Sequence, residues 1–564
     1  MFFGGIIAAL PFIFSDLWLL GWVCIAPLFW IAAEKKSAYR HGLAFFAGFY
    51  GLIYHWFVYL YPMDFAGFDN FQSAVVIAVC WLGMTLLQGP VFALVAPLYK
   101  RLRTGRIYAD PFVAASLWVI FEWLQTQTWM GVPWARLAVT QYRFLPAVQS
   151  SSLFGSLFVS FLMALSNGFI AITLKNMFGL SMNDGKRSLV PDTAEKTHEK
   201  SSGTHAPASI REDMAGSTVL EPASGAHITT SKRTALISAG VAAAILIVNI
   251  AYGAMALALY NDGDAVGVTA AVIQGNIASG DKWKDKSVYN ALDIYSELTL
   301  GAGIKYSPQI VLWPETAINV TLRKMNDISE QISMLAKTTG AIILVGAFDY
   351  KDDIASGEMQ SYNAIIAFYP DGSIGERPYY KRHLVPFGEY LPMPWFFKTF
   401  LPMLAEMNLF QSDLTPGDGT NLIDTDYGKL GGLVCFDSIY GELVRESVVD
   451  GANLIILSTN DSWYRDSAAV YQHNGHAVLR AVENRRYIVR SANTGVSSVI
   501  SPTGRIMTML DPLVKGYTAA EVKMLSGRTL YSYIGDAWIA ACALYVAGLG
   551  IVKFVRKNSI KADL

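Results

Sequence analysis

The chain has 564 residues, of which 53% are hydrophobic and 16% charged, with a formal net charge of −1; its mean hydropathy is +0.33. A soluble globular chain is nearer a quarter charged, so these figures exclude a wholly water-soluble protein, a disordered chain and a collagen, and they leave no long-range field to attract nucleic acid. The four cysteines, Cys24, Cys80, Cys435 and Cys542, contain no CxxC pair and form no disulfide framework; three fall in apolar runs, leaving Cys435 alone in a polar region.

In chain order, Phe2 to Phe14 is short for a membrane span, Ser15-Asp16 interrupts it, and Leu17 to Ala33 follows, which reads as two short helices in a hairpin. Met1-Phe2-Phe3 carries no basic residue ahead of the apolar run, so this segment is expected to be an uncleaved membrane helix. Further spans are predicted near 41–61, 74–98, 111–130, 150–174, 234–257 and 534–553, making about eight in all. Lys35, Lys36 and Arg40 follow the second span, Lys100, Arg101, Arg103 and Arg106 the fourth, and Lys553, Arg556, Lys557 and Lys561 the last, whereas the loop between the third and fourth holds Asp64 and Asp69 and no base. Basic loops stay in the cytoplasm, so both termini are expected inside, with the loop of Arg136 and Arg143 as the exception. Residues 181–232 are polar, without a hydrophobic period, and read as a disordered cytoplasmic connector.

Over 262–528 the pattern changes. Short β-rich runs at Val266–Ile273, Gln309–Trp313, Ala341–Ala347, Ala364–Tyr369, Leu430–Val434, Leu454–Leu457 and Val496–Ile500 alternate with helix-like segments such as Ile328–Thr338 and Ala468–Arg486. This predicts a soluble α/β domain with buried sheets, on the outer face. The expected division is therefore a membrane domain over 1–180 with six spans, the connector over 181–232, a span over 233–260, the α/β domain over 262–528, a last span over 531–553 and a tail over 554–564.

Three apolar runs end in residues able to carry chemistry. Trp313-Pro314-Glu315 puts a carboxylate at a strand tip, because Pro314 stops ladder pairing. Lys381 and Glu389 share a loop, and Gly431-Gly432-Leu433-Val434-Cys435 presents a thiol at another strand end, where catalytic groups collect in open α/β sheets. Singly, each has a plainer reading: a small buried hydrophobe for the cysteine, a solvated loop charge for the glutamate, a snorkelling side chain for the lysine. Jointly they would supply a nucleophile in Cys435, a base in Glu315 and an oxyanion donor in Lys381, the parts that acyl transfer needs.

The order Glu315…Lys381…Cys435 resembles the nitrilase, or carbon–nitrogen hydrolase, superfamily. More narrowly, Trp313-Pro314-Glu315, the run His383 to Tyr390, Asn460-Asp461-Ser462-Trp463, Asn493-Thr494-Gly495, Val272 to Asn276 with Trp283 after it, Gln472-His473 with Arg480-Ala481 and Glu483, Glu122-Trp123-Leu124 and Gly131-Val132-Pro133-Trp134 are similar to the apolipoprotein N-acyltransferase family. The resemblance implies a polytopic α-helical membrane domain of about eight spans plus a nitrilase-like αββα sandwich, in the bacterial inner membrane with the catalytic domain periplasmic. It implies transfer of an acyl chain from phospholipid to the N-terminal amine of a diacylglyceryl apolipoprotein through a cysteine thioester. It implies Glu315, Lys381 and Cys435 as catalytic residues, Glu389 and Asp437 as supporting ones, and Trp283 and Trp463 as substrate-binding tryptophans on arms near the acyl-chain portal. Two positions depart from the family pattern: Cys435-Phe436-Asp437 replaces the commoner Cys-Tyr-Glu, and Tyr464-Arg465 replaces an aromatic–glycine pair. No organic cofactor, no metal and no nucleic-acid partner are expected, and the protein is expected to act as a monomer. The rivals are a membrane-tethered nitrilase-type amidase, disfavoured by the many spans, and a transporter or receptor, whose spans would carry charges near the bilayer midplane. His473 and His476 form an H-x-x-H without a third metal ligand, and either histidine offers an alternative Cys–His dyad.

Overall fold

The computed structural model describes residues 1–63, 67–127, 131–178, 224–282, 287–352, 359–400 and 414–562. Among them, six helices are long and apolar enough to cross a bilayer: Ser15–Glu34, Ala38–Leu60, Asn70–Leu102, Ser156–Phe178, Lys232–Leu259 and Ala537–Ser559. The expected count of eight is therefore corrected to six. The two segments that fall short are Phe2–Ile13, with 12 residues, and Asp110–Leu124, with 15. At 1.5 Å per residue they reach about 18 and 22 Å, against about 30 Å of hydrocarbon. Both still pack in the bundle, where Ala8, Phe12, Trp118 and Val119 are buried. The seventh predicted span begins earlier than its hydropathy suggests, as a helix over Ser224–Leu259 that starts inside the stretch read as a connector. The rest of that stretch lies outside the described residues.

The bundle has two chemically different ends. At one, Lys553 Nζ donates to the carbonyls of Arg101 and Arg103 at 2.8 and 2.5 Å, Lys100 Nζ donates to Lys35 O at 2.6 Å, and Lys175 pairs with Glu34 at 2.8 Å. At the other it meets the α/β domain: Gln472 Nε2 donates to Phe12 O at 2.8 Å, Ser156 N–H to Glu483 Oε1 at 2.7 Å, and Gln149 Nε2 to Thr503 O at 2.9 Å. The helix Ser156–Phe178 spans the two, with Ser156 at the domain end and Lys175 at the basic end.

The α/β domain contains two sheets. The first has strands β1 (Gly267–Gln274), β2 (Ile310–Leu312), β3 (Ile318–Thr321), β4 (Ile342–Asp352), β5 (Met359–Phe368), β6 (Tyr379–Tyr380) and, from the far end of the domain, Gly516–Lys523. The second has β7 (Ile423–Thr425), β8 (Gly428–Val434), β9 (Leu454–Thr459), β10 (Ile488–Ala492), β11 (Ser497–Ile500) and β12 (Ile506–Leu510); Gly516–Lys523 is β13. The first runs in the order β13-β1-β2-β4-β5-β6 with β3 on β4, the second in the order β12-β11-β10-β9-β8-β7. In each the central strands are parallel, β1-β2-β4 and β8-β9-β10. The two-residue period of a strand divides β1 between cores: Val268, Ala270 and Val272 join Leu430, Leu454, Ile456 and Val489 between the sheets, while Ala271 and Ile273 pack outward with Leu292 and Ile332 of the covering helices. Beyond the second sheet, Leu457, Val478 and Leu479 belong to the same apolar cluster as Phe45 and Trp118 of the bundle. The helical layer over that sheet is thus also the seam with the membrane domain. All seven predicted strand runs are strands; β10 lies so soon after the helix Ala468–Asn484 that its pattern is hidden.

Candidate active site

Strand tips from both sheets converge. Glu315 follows β2, where Trp313 N–H donates to Leu344 O at 2.8 Å before Pro314 ends the ladder. Lys381 follows β6 and Cys435 follows β8. The structure brings together Glu315, Lys381, Glu389 and Cys435, which stand 66, 8 and 46 residues apart along the chain.

Lys381 is buried and donates to Glu315 Oε1 at 3.2 Å and to Glu389 Oε1 at 2.8 Å. Asn363 Nδ2 bridges the same two oxygens at 2.8 and 3.2 Å. Glu315 Oε2 accepts the Asn460 N–H at 3.0 Å, and Glu389 Oε2 accepts the Val385 N–H at 2.8 Å. Glu315 thus accepts three hydrogen bonds, and a carboxylate has about four lone-pair sites, leaving one for a substrate or thiol proton. Burial alone would lower the Lys381 ammonium pKa, but the Glu315 and Glu389 carboxylates reverse this and hold it well above the usual lysine range. Burial pushes Glu389 up, against the pull of Lys381. A further lysine, Lys282, was not singled out in the sequence although it adjoins Trp283. It is buried and donates to Glu315 O at 3.1 Å and to Thr316 Oγ1 at 2.6 Å, and burial lowers its pKa to about 8.

Cys435 has φ +49°, left-handed and uncommon for a residue with a Cβ. The sharp turn from β8 into the helical turn Cys435–Ile439 places the thiol at the strand end. Burial first, then the Glu315 carboxylate, push this thiol well above its ordinary pKa, while Lys381 pulls the other way. The resting group is therefore a neutral thiol.

Asp437 stabilises the turn. It accepts the Val434 N–H at 3.1 Å and the Tyr379 hydroxyl at 2.8 Å on one oxygen, and the N–H groups of His383 at 2.8 Å and Arg382 at 3.3 Å on the other. Its shorter side chain thereby ties the Lys381 loop to the Cys435 turn. Gly432 makes this possible, because a Cβ there would collide with the Tyr379 ring. Asp437→Asn would place an amide N–H against one pair of donors; it is expected to lower stability by about 2–4 kcal/mol, read as a fall in thermal unfolding temperature.

Asp461 and His473 also lie near the thiol. Cys435, Asp461 and His473 offer ligand atoms within 4.8 Å of one another. A cation does not fit there, because both His473 nitrogens are hydrogen-bonded and Arg490 Nη2 stands 3.1 Å from Nδ1, placing positive charge where a metal would sit. Neither histidine of the H-x-x-H bonds the Cys435 Sγ among the described residues: His473 Nε2 meets the Cys435 carbonyl at 3.1 Å and His476 Nε2 the Trp134 carbonyl at 3.2 Å. Trp283 lies outside the described residues, and Trp463 sits in the turn 462–466, 37% exposed. Its neighbour Tyr464 stacks edge-on against Trp56 at 4.8 Å and tilts against Trp134 at 5.6 Å, both from the bundle. A cavity of about 390 Å³ opens beside Phe436, between Thr126 and Gln127 of the bundle and Arg382, His383 and Tyr390 of the loop after β6.

Residues 269–530 match the carbon–nitrogen hydrolase family, and residues 4–169 match the apolipoprotein N-acyltransferase N-terminal domain. The apolipoprotein N-acyltransferase of Geobacter metallireducens is 28% identical over 98% of this chain and 94% of its own length, and that of Haemophilus ducreyi is 26% identical over 97% and 95%. The chain belongs to the apolipoprotein N-acyltransferase family. A Saccharomyces cerevisiae member of the nitrilase superfamily also aligns with 48% of this chain, at 20% identity and a TM-score of 0.35. Asn363, Lys282 and Arg490 are residues of this site that no quoted motif flagged. Asn460 and Asp461 lie inside the motifs without a role to mark them, and His473 stands there only as a candidate for the alternative Cys–His dyad.

Proposed function

We propose that this acyltransferase moves an acyl chain from a phospholipid to the N-terminal amine of a diacylglyceryl apolipoprotein, with Cys435 as nucleophile, Glu315 as base and then acid, and Lys381 as oxyanion donor. The observation that carries the reading is the buried contact of Lys381 with both Glu315 and Glu389 beside the turn that presents Cys435. Because the thiol rests neutral, its proton leaves for Glu315 as sulfur attacks the ester carbonyl. The tetrahedral intermediate collapses to a thioester, and Glu315 passes the proton to the departing oxygen of the lysophospholipid. The incoming amine then attacks the thioester, and the proton it sheds returns the cysteine to a thiol. Glu389 acts as a positioning residue, holding the Lys381 ammonium charged and aimed. The cavity beside Phe436, shared between bundle and catalytic loop, is where the lipid substrate approaches. A membrane-tethered amidase would use the same groups with water as acceptor, but the site joins a bundle of several spans, which a soluble amide does not require.

The orientation follows from the two ends of the bundle. The clustered Lys35, Lys100, Arg101, Arg103 and Lys553 lie opposite the catalytic domain, and the positive-inside rule assigns that end to the cytoplasm. The catalytic domain then faces the periplasm, from a bacterial inner membrane. A membrane-impermeant thiol reagent applied from outside is expected to label a cysteine placed at Asn261 and to miss one at Ser202; the opposite pattern overturns the orientation. The reaction itself is tested by incubating the protein with phospholipid and a diacylglyceryl-cysteine peptide. One acyl chain added to the peptide amine supports transfer, whereas free fatty acid alone means that water resolves the thioester and overturns transfer.

A further inference from the structure

We propose that Lys282 is a positioning residue for the base: it holds the peptide linking Glu315 to Thr316 and so keeps the Glu315 carboxylate on Lys381. The inference rests on the reading of Glu315 as base. Lys282 Nζ donates to the Glu315 carbonyl at 3.1 Å and to Thr316 Oγ1 at 2.6 Å. Thr316 has φ +46°, a left-handed conformation that β-branched residues rarely adopt. Such a conformation persists only where its surroundings fix it, and Pro314 has already ended the strand ladder that would otherwise do so. The same tip rests directly on β4, since a Cβ at Gly346 would fall 2.8 Å from Glu315 Cα. Contact with β4 and the two bonds from Lys282 together fix the backbone from which the carboxylate projects.

Lys282 is itself held in place. Its carbonyl accepts Asn319 Nδ2 at 2.6 Å and Ser287 Oγ at 2.7 Å. Three residues earlier, Ser279 Oγ donates to Ser462 Oγ at 2.7 Å. The Ile277 N–H donates to Asn493 Oδ1 at 3.0 Å, Asn493 Nδ2 to Asn460 Oδ1 at 2.9 Å, and the Asn460 N–H to Glu315 Oε2 at 3.0 Å. The segment 277–282 thus reaches Glu315 twice, at its carbonyl through Lys282 and at its carboxylate through Asn493 and Asn460. The lysine is 4% exposed. Burial lowers its pKa to about 8, with the Glu315 carboxylate opposing the fall. Keeping an ammonium there costs desolvation that filling the same space with an apolar chain would not.

The test is acylation of Cys435 by phospholipid in the full-length protein, followed over a range of lipid concentrations and for hours where it is slow. A misplacement of about 1 Å can cost about 10²-fold, so Lys282→Met is expected to lower the maximal rate by about 10- to 100-fold at unchanged KM. In the Glu315→Gln background the same substitution is expected to cost less than about twofold, because the base that it positions is already gone. A wild-type rate in Lys282→Met overturns the proposal. So does an equal loss with and without Glu315, which is what a merely structural lysine would give. Should Lys282→Met not fold, Thr316→Val, which removes one of the two acceptors and keeps the shape, is read in the same cycle. No effect, or an equal effect in both backgrounds, overturns the proposal there too. A wild-type rate in Glu315→Gln alone would instead remove Glu315 as base, and the proposal with it.

Discussion

Cys435→Ser is expected to lose both the covalent intermediate and acyl transfer to the peptide. An ordinary thiol has a pKa of about 8.5, and in this site burial and Glu315 already push Cys435 upward. The proposed reaction therefore depends on proton transfer to Glu315 during attack rather than on a standing thiolate. A hydroxyl at the same position is much harder to deprotonate and yields an ester that amines attack less readily, so a loss of at least about 10³-fold is expected. The measurement is a hydroxylamine-labile acyl group on protein incubated with phospholipid alone. It should be present on the wild type, absent from Cys435→Ser, and strongly reduced in Glu315→Gln, where the thiol remains but its base does not. An acyl group that persists in Cys435→Ser would assign the nucleophile elsewhere.

Lys381→Met is expected to slow acylation of Cys435 by about 10² to 10³, the effect of losing one oxyanion donor, with phospholipid binding nearly unchanged. The change also leaves Glu315 and Glu389 facing each other across Asn363 without a cation. Two buried carboxylates so placed resist ionising together, so one of them takes up a proton. Stopped acylation in the presence of bound lipid separates this from simple loss of affinity. A variant that acylates at the wild-type rate would make Lys381 structural.

The local motifs were legible because each rests on short-range chemistry. The two-residue hydrophobic alternation identified the strands, and Pro314 and the strand-ending Val434-Cys435 pair identified the tips where Glu315 and Cys435 sit. The family's wording, read from runs such as Trp313-Pro314-Glu315 and the loop from His383 to Tyr390, named the chemistry. Span counting failed at Phe2–Ile13 and Asp110–Leu124 because hydropathy reports burial without distinguishing lipid from protein. Both helices are apolar since they pack against other helices, and both are too short to cross.

What the sequence by itself determined is the division into a membrane half and an α/β half, and the three side chains proposed to react. Those properties depend on composition and on neighbours along the chain. Only the tertiary structure decided which groups surround the thiol. Asn363 reaches Glu315 because β5 pairs with β4, and Asp437 clasps the Lys381 loop because β6 and β8 lie on facing sheets. His473 meets the Cys435 carbonyl because its helix is wedged between the second sheet and the bundle. Hydrogen bonds of this kind are set by three-dimensional approach within about 3 Å, and no spacing along the chain encodes them.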